Sequence, residues 1–187
     1  LLMAAESQDN KMVSNTVKQV LTNCFIDDVD IDDLAVFDVE YIFIQLRSKS
    51  VNNIIELKFK GDDDKTYESE IDLDSVVVDF DPEHTNKIVL SDHVMVTMKY
   101  PSFSMFEDFV AVSEPDMVEV LSQTIDKVVS ADEVMSLKDY SKEEVAEFVE
   151  SFTSKNMRDI EKFFQTLPKL KLDVEYVDSE GNTNTKE

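Results

Sequence analysis

Asp28, Asp30 and Asp32 are the residues whose type and spacing come closest to a metal site. Alternate carboxylates are how an EF-hand loop begins to wrap calcium. The match then fails. Asp33 stands where that loop needs glycine, and Val39 stands where it needs a bidentate glutamate. Helix caps and a solvated connection account better for the acidic run 27–33, with Asp32 or Asp33 capping the helix that follows. The same acids are candidates for contact with a basic partner. Asp62, Asp63 and Asp64 read as a hairpin turn. His84 and His93 are the only histidines and flank a short strand. A catalytic base needs an oriented partner, and a metal site needs three or four ligands. Neither set is present by spacing. Cys24 is the single cysteine, which excludes a disulfide framework or a paired-cysteine zinc site. It lies on an apolar helical stripe and is expected to pack as a small core residue. With only 2 glycines, phosphate-cradling loops are excluded. No catalytic, cofactor or metal residues are expected, and no small-molecule substrate.

The charge balance narrows the partners. The chain carries 41 acidic and 18 basic residues, a formal net charge of −23. Nucleic acid and anionic membrane surfaces are disfavoured, because both are held by lysine and arginine. Ordinary acidic solubility is the plainest reading, and a partner with a basic face is the functional one. Mimicry of nucleic acid is the alternative from another class. It requires acidic side chains at regular spacing on one face. No apolar run approaches the roughly 20 residues a membrane helix needs. A lone cysteine suits a reducing compartment. Residues 1–5 are too short for a signal sequence and read as the end of a helix that begins before this chain.

Those residues must be positioned by regular elements. Met12, Val13, Val17, Val20, Leu21 and Cys24 recur at helical spacing. A second helix is expected over 37–50, with a broad apolar arc from Phe37 to Leu46 and Arg47 and Lys49 in its last turn. Ile55, Leu57 and Phe59 then alternate with charge, and after the Gly61 turn Tyr67, Ser69 and Ile71 do the same. This is a β-hairpin. Short strands are expected at 76–78, 87–90 and 94–100. Helices follow at 103–111, at 117–128 behind Pro115, and after a capping box of Ser141 and Glu144. Ser154 is expected to cap a last helix that ends at Pro168. Leu170, Leu172, Val174 and Tyr176 alternate as a strand before a turn at 178–182. The hairpin there reads as having lost its return strand, so the chain reads as truncated at both ends.

The two ends follow one plan of helix, acidic connection, helix and hairpin, at an offset of about 105 residues, too long for a solenoid repeat. The sequence therefore predicts an α+β protein, with helices packed on small antiparallel hairpin sheets. Two duplicated helix–hairpin lobes fit the pattern, although common αβ patterns can coincide. The expected division is an N-terminal lobe over 1–80, central strands and a linker helix over 81–114, and a C-terminal lobe over 115–187.

The segment Phe37-Asp38-Val39-Glu40-Tyr41-Ile42-Phe43-Ile44-Gln45-Leu46-Arg47-Ser48-Lys49-Ser50-Val51 resembles the hallmark segment of the T4-like bacteriophage baseplate hub subunit family. So do Leu1-Leu2-Met3-Ala4-Ala5-Glu6-Ser7, Lys99-Tyr100-Pro101, Ser141-Lys142-Glu143-Glu144 and Leu167-Pro168-Lys169-Leu170. Together they span nearly the whole chain. Many family members carry cysteine pairs in the two hairpins. This chain has none there, so a metal role is not carried over. The resemblance implies a non-enzymatic structural or chaperone-like protein that binds baseplate hub proteins. It would act in the infected host cytoplasm and in the virion tail baseplate. Phe37, Tyr41, Phe43 and Leu46 are the expected core of the hallmark helix. Asp28, Asp30, Asp32, Ile55, Leu57 and Phe59 are candidates for partner contact, the last three through strand edges.

Overall fold

The computed structural model describes residues 10–61, 63–110, 116–131, 133–178 and 181–186. The expected helix end at 1–5, the turn residues Asp62 and 179–180, and Pro115 lie outside the described residues. In chain order come α1 (Asn10–Cys24), a 3-10 turn (Ile31–Asp33), α2 (Val36–Ser50), β1 (Ile54–Lys60), β2 (Thr66–Asp72), a 3-10 turn (Leu73–Ser75), β3 (Val77–Asp79), β4 (Lys87–Ser91) and β5 (Val94–Met98). Then follow α3 (Phe103–Val110), α4 (Met117–Thr124), β6 (Ile125–Ser130), β7 (Val134–Met135), a 3-10 turn (Leu137–Asp139), α5 (Lys142–Glu150), α6 (Ser154–Gln165), β8 (Lys169–Lys171), β9 (Val174–Val177) and β10 (Thr183–Lys186). The class is α+β, with every strand pair antiparallel. Two compact units form, each discontinuous in sequence. One takes Leu1–Val36 and Phe80–Leu167, the other Phe37–Asp79 and Pro168–Glu187.

The first unit is built on the sheet β4-β5-β6-β7. Ile88, Val96, Val128 and Met135 oppose one another across it in a single row. The first three are buried, and Leu121 of α4, Val145 and Val149 of α5, and Ile160 and Phe163 of α6 complete their core. Apolar rows on one sheet face demand a cover of amphipathic helices, which α4, α5 and α6 supply. The expected helix over 117–128 stops at Thr124. Ile125, Val128 and Val129 are β-branched, and pairing with β5 and β7 makes them a central strand. The helix opens on Asp116, whose side chain accepts the Val118 N–H at 2.9 Å. The box of Ser141 and Glu144 opens α5 as expected, and Thr153 rather than Ser154 caps α6. Asp30, not Asp32 or Asp33, is the capping acid after α1, and it caps the 3-10 turn rather than α2. Cys24 is exposed at the end of α1, a correction to its expected burial.

In the second unit β1 pairs with β2 over its whole length, from Ile54 opposite Asp72 to Lys60 opposite Thr66. The strand expected over 170–176 is two strands. Lys169–Lys171 pairs with β3, and Val174–Val177 pairs with β10. Thr183–Lys186 is the return strand that the sequence pattern left missing. Phe59, Tyr67 and Tyr176 pack their rings together, with centroids 4.8–6.4 Å apart. Gly61 is fitted to that cluster, since a Cβ there would stand 2.6 Å from the Tyr67 ring.

The last turn of α2 is tied to the turn after β2. Lys49 Nζ donates to both Asp74 carboxylate oxygens at 2.8 Å, and the buried Ser48 hydroxyl donates to the same group. Lys49 and Ser48 together hold the Asp74 carboxyl below the usual aspartate range. A carboxyl whose folded pKa is depressed adds stability above its unfolded pKa and loses it as pH falls through the folded value. Thermal unfolding should therefore show a loss of midpoint between about pH 5 and pH 3 that is shallower in Asp74→Asn. An identical slope in the variant would dismiss the coupling.

Candidate partner-binding surfaces

The outer edge of β1 is the first surface. The Leu73 N–H donates to the Asn53 carbonyl at 2.7 Å, and the Gly61 N–H donates to the Lys65 carbonyl at 2.8 Å. In an antiparallel ladder the bonded residues alternate, so Asn53, Ile55, Leu57, Phe59 and Gly61 turn their backbone groups toward β2. Ile54, Glu56, Lys58 and Lys60 turn theirs outward. No further strand pairs with β1 among the described residues. Two of the outward groups are capped. Asn52 Oδ1 accepts the Ile54 N–H at 3.1 Å, and Lys186 Nζ donates to the Lys60 carbonyl at 2.5 Å. The ladder between them is open to a partner strand.

The candidate contacts divide on this hairpin. Ile55 and Phe59 are half-buried on the face that carries Tyr67 and Ile71. Leu57 shares that face and stays 37% exposed. The opposite face carries Glu56, Lys58 and Lys60, with Lys58 paired to Glu68 across the hairpin. Phe37, Tyr41, Phe43 and Leu46 of α2 are half-buried, and Val39 and Ser48 are the buried residues of that helix. Asp28 is exposed. Asp30 accepts the Asp32 N–H at 3.0 Å, and Asp32 is bound to Lys18. Asp30 and Asp32 hold the local chain, Asp30 as a capping carboxylate and Asp32 through its ion pair.

The second surface was not legible in the sequence. A groove of about 640 Å³ runs between α4 and the start of α5, beside the 3-10 turn Leu137–Asp139. Leu137 and Val145 lie in its floor, and Asp116, Glu119, Glu143, Lys138 and Lys142 are among its charged lining. A neighbouring hollow of about 240 Å³ is lined by Val128, Met135, Leu137, Val145 and Phe148. Tyr140, 43% exposed, stands between the two and lines both. Glu144 is the one carboxylate in the smaller hollow. It accepts the Ser141 N–H at 2.9 Å, and that bond lowers its carboxyl below the usual glutamate range. The hollow is thus apolar, with its one charge occupied, and suits a large side chain from another protein.

His84 is part of the packing. It stacks with Tyr100 at 5.6 Å and packs against Phe163 at 5.2 Å. Its Nδ1 meets the Thr166 hydroxyl at 2.9 Å, and that hydroxyl donates to the Lys162 carbonyl, so the ring is held in one orientation. No helix among the described residues is long and apolar enough to cross a membrane. The family model described as T4 bacteriophage base plate protein matches residues 1–186. No curated protein and no solved structure matches the chain.

Proposed function

We propose that this chain, which belongs to the T4 bacteriophage base plate protein family, acts without catalysis in assembling the baseplate hub. The family match over residues 1–186 carries this reading. The protein binds other baseplate hub proteins, either as a subunit or as a chaperone that holds them until they join. It does so in the infected host cytoplasm and in the tail baseplate. The groove beside Tyr140 supports a partner segment with an apolar anchor. The net charge of −23 supports basic residues flanking that anchor. The acidic connection at Asp28 and Asp30 offers further complement to such a segment.

The test is a pull-down from phage-infected cells with the full chain, followed by mass spectrometry. Tail hub proteins are expected with the parent protein. Tyr140→Glu, which places a charge at the mouth of an apolar hollow, should reduce their recovery about tenfold. Unchanged recovery would remove the groove from the reading. Host DNA-binding proteins released by salt would replace it with nucleic-acid mimicry.

A further inference from the structure

We propose that the open edge of β1 pairs with β1 of a second copy of this chain, antiparallel and centred on Leu57. This goes beyond hub assembly and stands on the strand itself. Outward backbone groups belong to Ile54, Glu56, Lys58 and Lys60. In the pairing centred on Leu57, Glu56 of one copy faces Lys58 of the other and exchanges both ladder bonds with it, twice over by symmetry. Ile54 faces Lys60 of the second copy, and the Lys60 N–H reaches the Ile54 carbonyl. The Ile54 N–H and the Lys60 carbonyl would have bonded to each other in this register. They are the two groups already held by Asn52 and Lys186. The backbone left open on the edge is therefore the backbone this pairing uses.

The side chains agree with the same register. Glu56 lies directly opposite Glu70 on β2, a like-charge pair that costs stability within one chain. The second copy sets its Lys58 on the other flank of Glu56. Each of the two symmetric rows on that face then reads Glu70, Glu56, Lys58 and Glu68 across four strands, with Lys58 between two carboxylates. On the other face Ile55 meets Phe59 of the second copy, and the two exposed Leu57 side chains meet at the twofold axis. Lysines on an edge strand ordinarily repel a foreign strand. Here the spacing of Glu56 and Lys58 turns that protection into a match for self. A shift of the centre to Glu56 would set Glu56 against Glu56, so charge opposes that register.

Light scattering and sedimentation on the full chain test this. A dimer of the 21.4 kDa chain is expected at micromolar concentration. Glu56→Lys and Lys58→Glu should each weaken it about tenfold, since each sets like charges opposite at two symmetric places. The double swap Glu56→Lys with Lys58→Glu should restore it. Glu56→Pro removes an outward N–H without touching the bonds to β2, and should leave a folded monomer by circular dichroism. In a Cys24→Ser background, Leu57→Cys should form an interchain disulfide, because the facing Cα atoms would stand about 4.5 Å apart. A monomer at all concentrations, a dimer indifferent to the single swaps, or no interchain disulfide in the Leu57→Cys variant would each overturn the pairing.

Discussion

Phe163→Ala is expected to lower the unfolding free energy by about 3–5 kcal/mol. Phe163 is 1% exposed and lies in the core formed by the β4–β7 sheet and α4, α5 and α6. Its ring meets His84 at 5.2 Å and Phe164 at 5.3 Å, with Tyr100 stacked at 6.3 Å. Truncation leaves a cavity that three rings on rigid elements cannot all close. Total stabilities of about 5–15 kcal/mol make this a large fraction. Urea denaturation measures it, and a loss below about 1 kcal/mol would mean that the rings collapse into the space.

Asn156→Ala is the second large effect, expected at about 2–4 kcal/mol. The register of β4 against β5 shifts between Val89 and Ser91. A bulge of this kind leaves carbonyls without ladder partners. The buried Asn156 side chain donates its Nδ2 to the Val89 and Leu90 carbonyls, each at 3.2 Å. Its Oδ1 accepts the Thr153 N–H at 2.9 Å, which closes the cap of α6. One side chain therefore satisfies the bulge and fixes the helix start above it. Asn156→Asp separates the two roles, because it keeps the acceptor for Thr153 and loses the donor to the carbonyls. It is expected to cost at least as much as alanine, with a carboxylate facing two carbonyl oxygens in a buried place. Near-parent stability in the Asp variant would assign the effect to the cap alone.

Local signals in the sequence were clear where one periodicity acted alone. Ile55, Leu57 and Phe59 alternate without competition, and the hairpin β1–β2 forms as expected. Ser141 and Glu144 have the spacing of a reciprocal cap, and they make one. The stretch 117–130 defeats this kind of reading. Met117, Val118, Leu121, Ile125 and Val128 satisfy a helical stripe, while Ile125, Val128 and Val129 are equally good strand residues. The β-branched residues are settled by the open sides of β5 and β7, which the sequence does not display. The groove by Tyr140 was hidden for the same reason. Its walls come from α4 and from the turn before α5, and only packing brings them together. Membership of a baseplate family was legible because the segment 37–51 and the segments at 1–7, 99–101, 141–144 and 167–170 are specific in combination, although none of them carries chemistry.

The second unit joins residues 37–79 to residues 168–187. During synthesis β3 must wait for its partner Lys169–Lys171, and Tyr67 must wait for Tyr176. At ordinary translation speeds that interval is on the order of 5–20 s. Throughout it the nascent hairpin offers both an unfinished aromatic face and an unpaired edge to whatever else is in the cell. The first unit's strands β4 to β7 lie between the two parts and emerge before the second of them, so the second unit is the last to have all its residues.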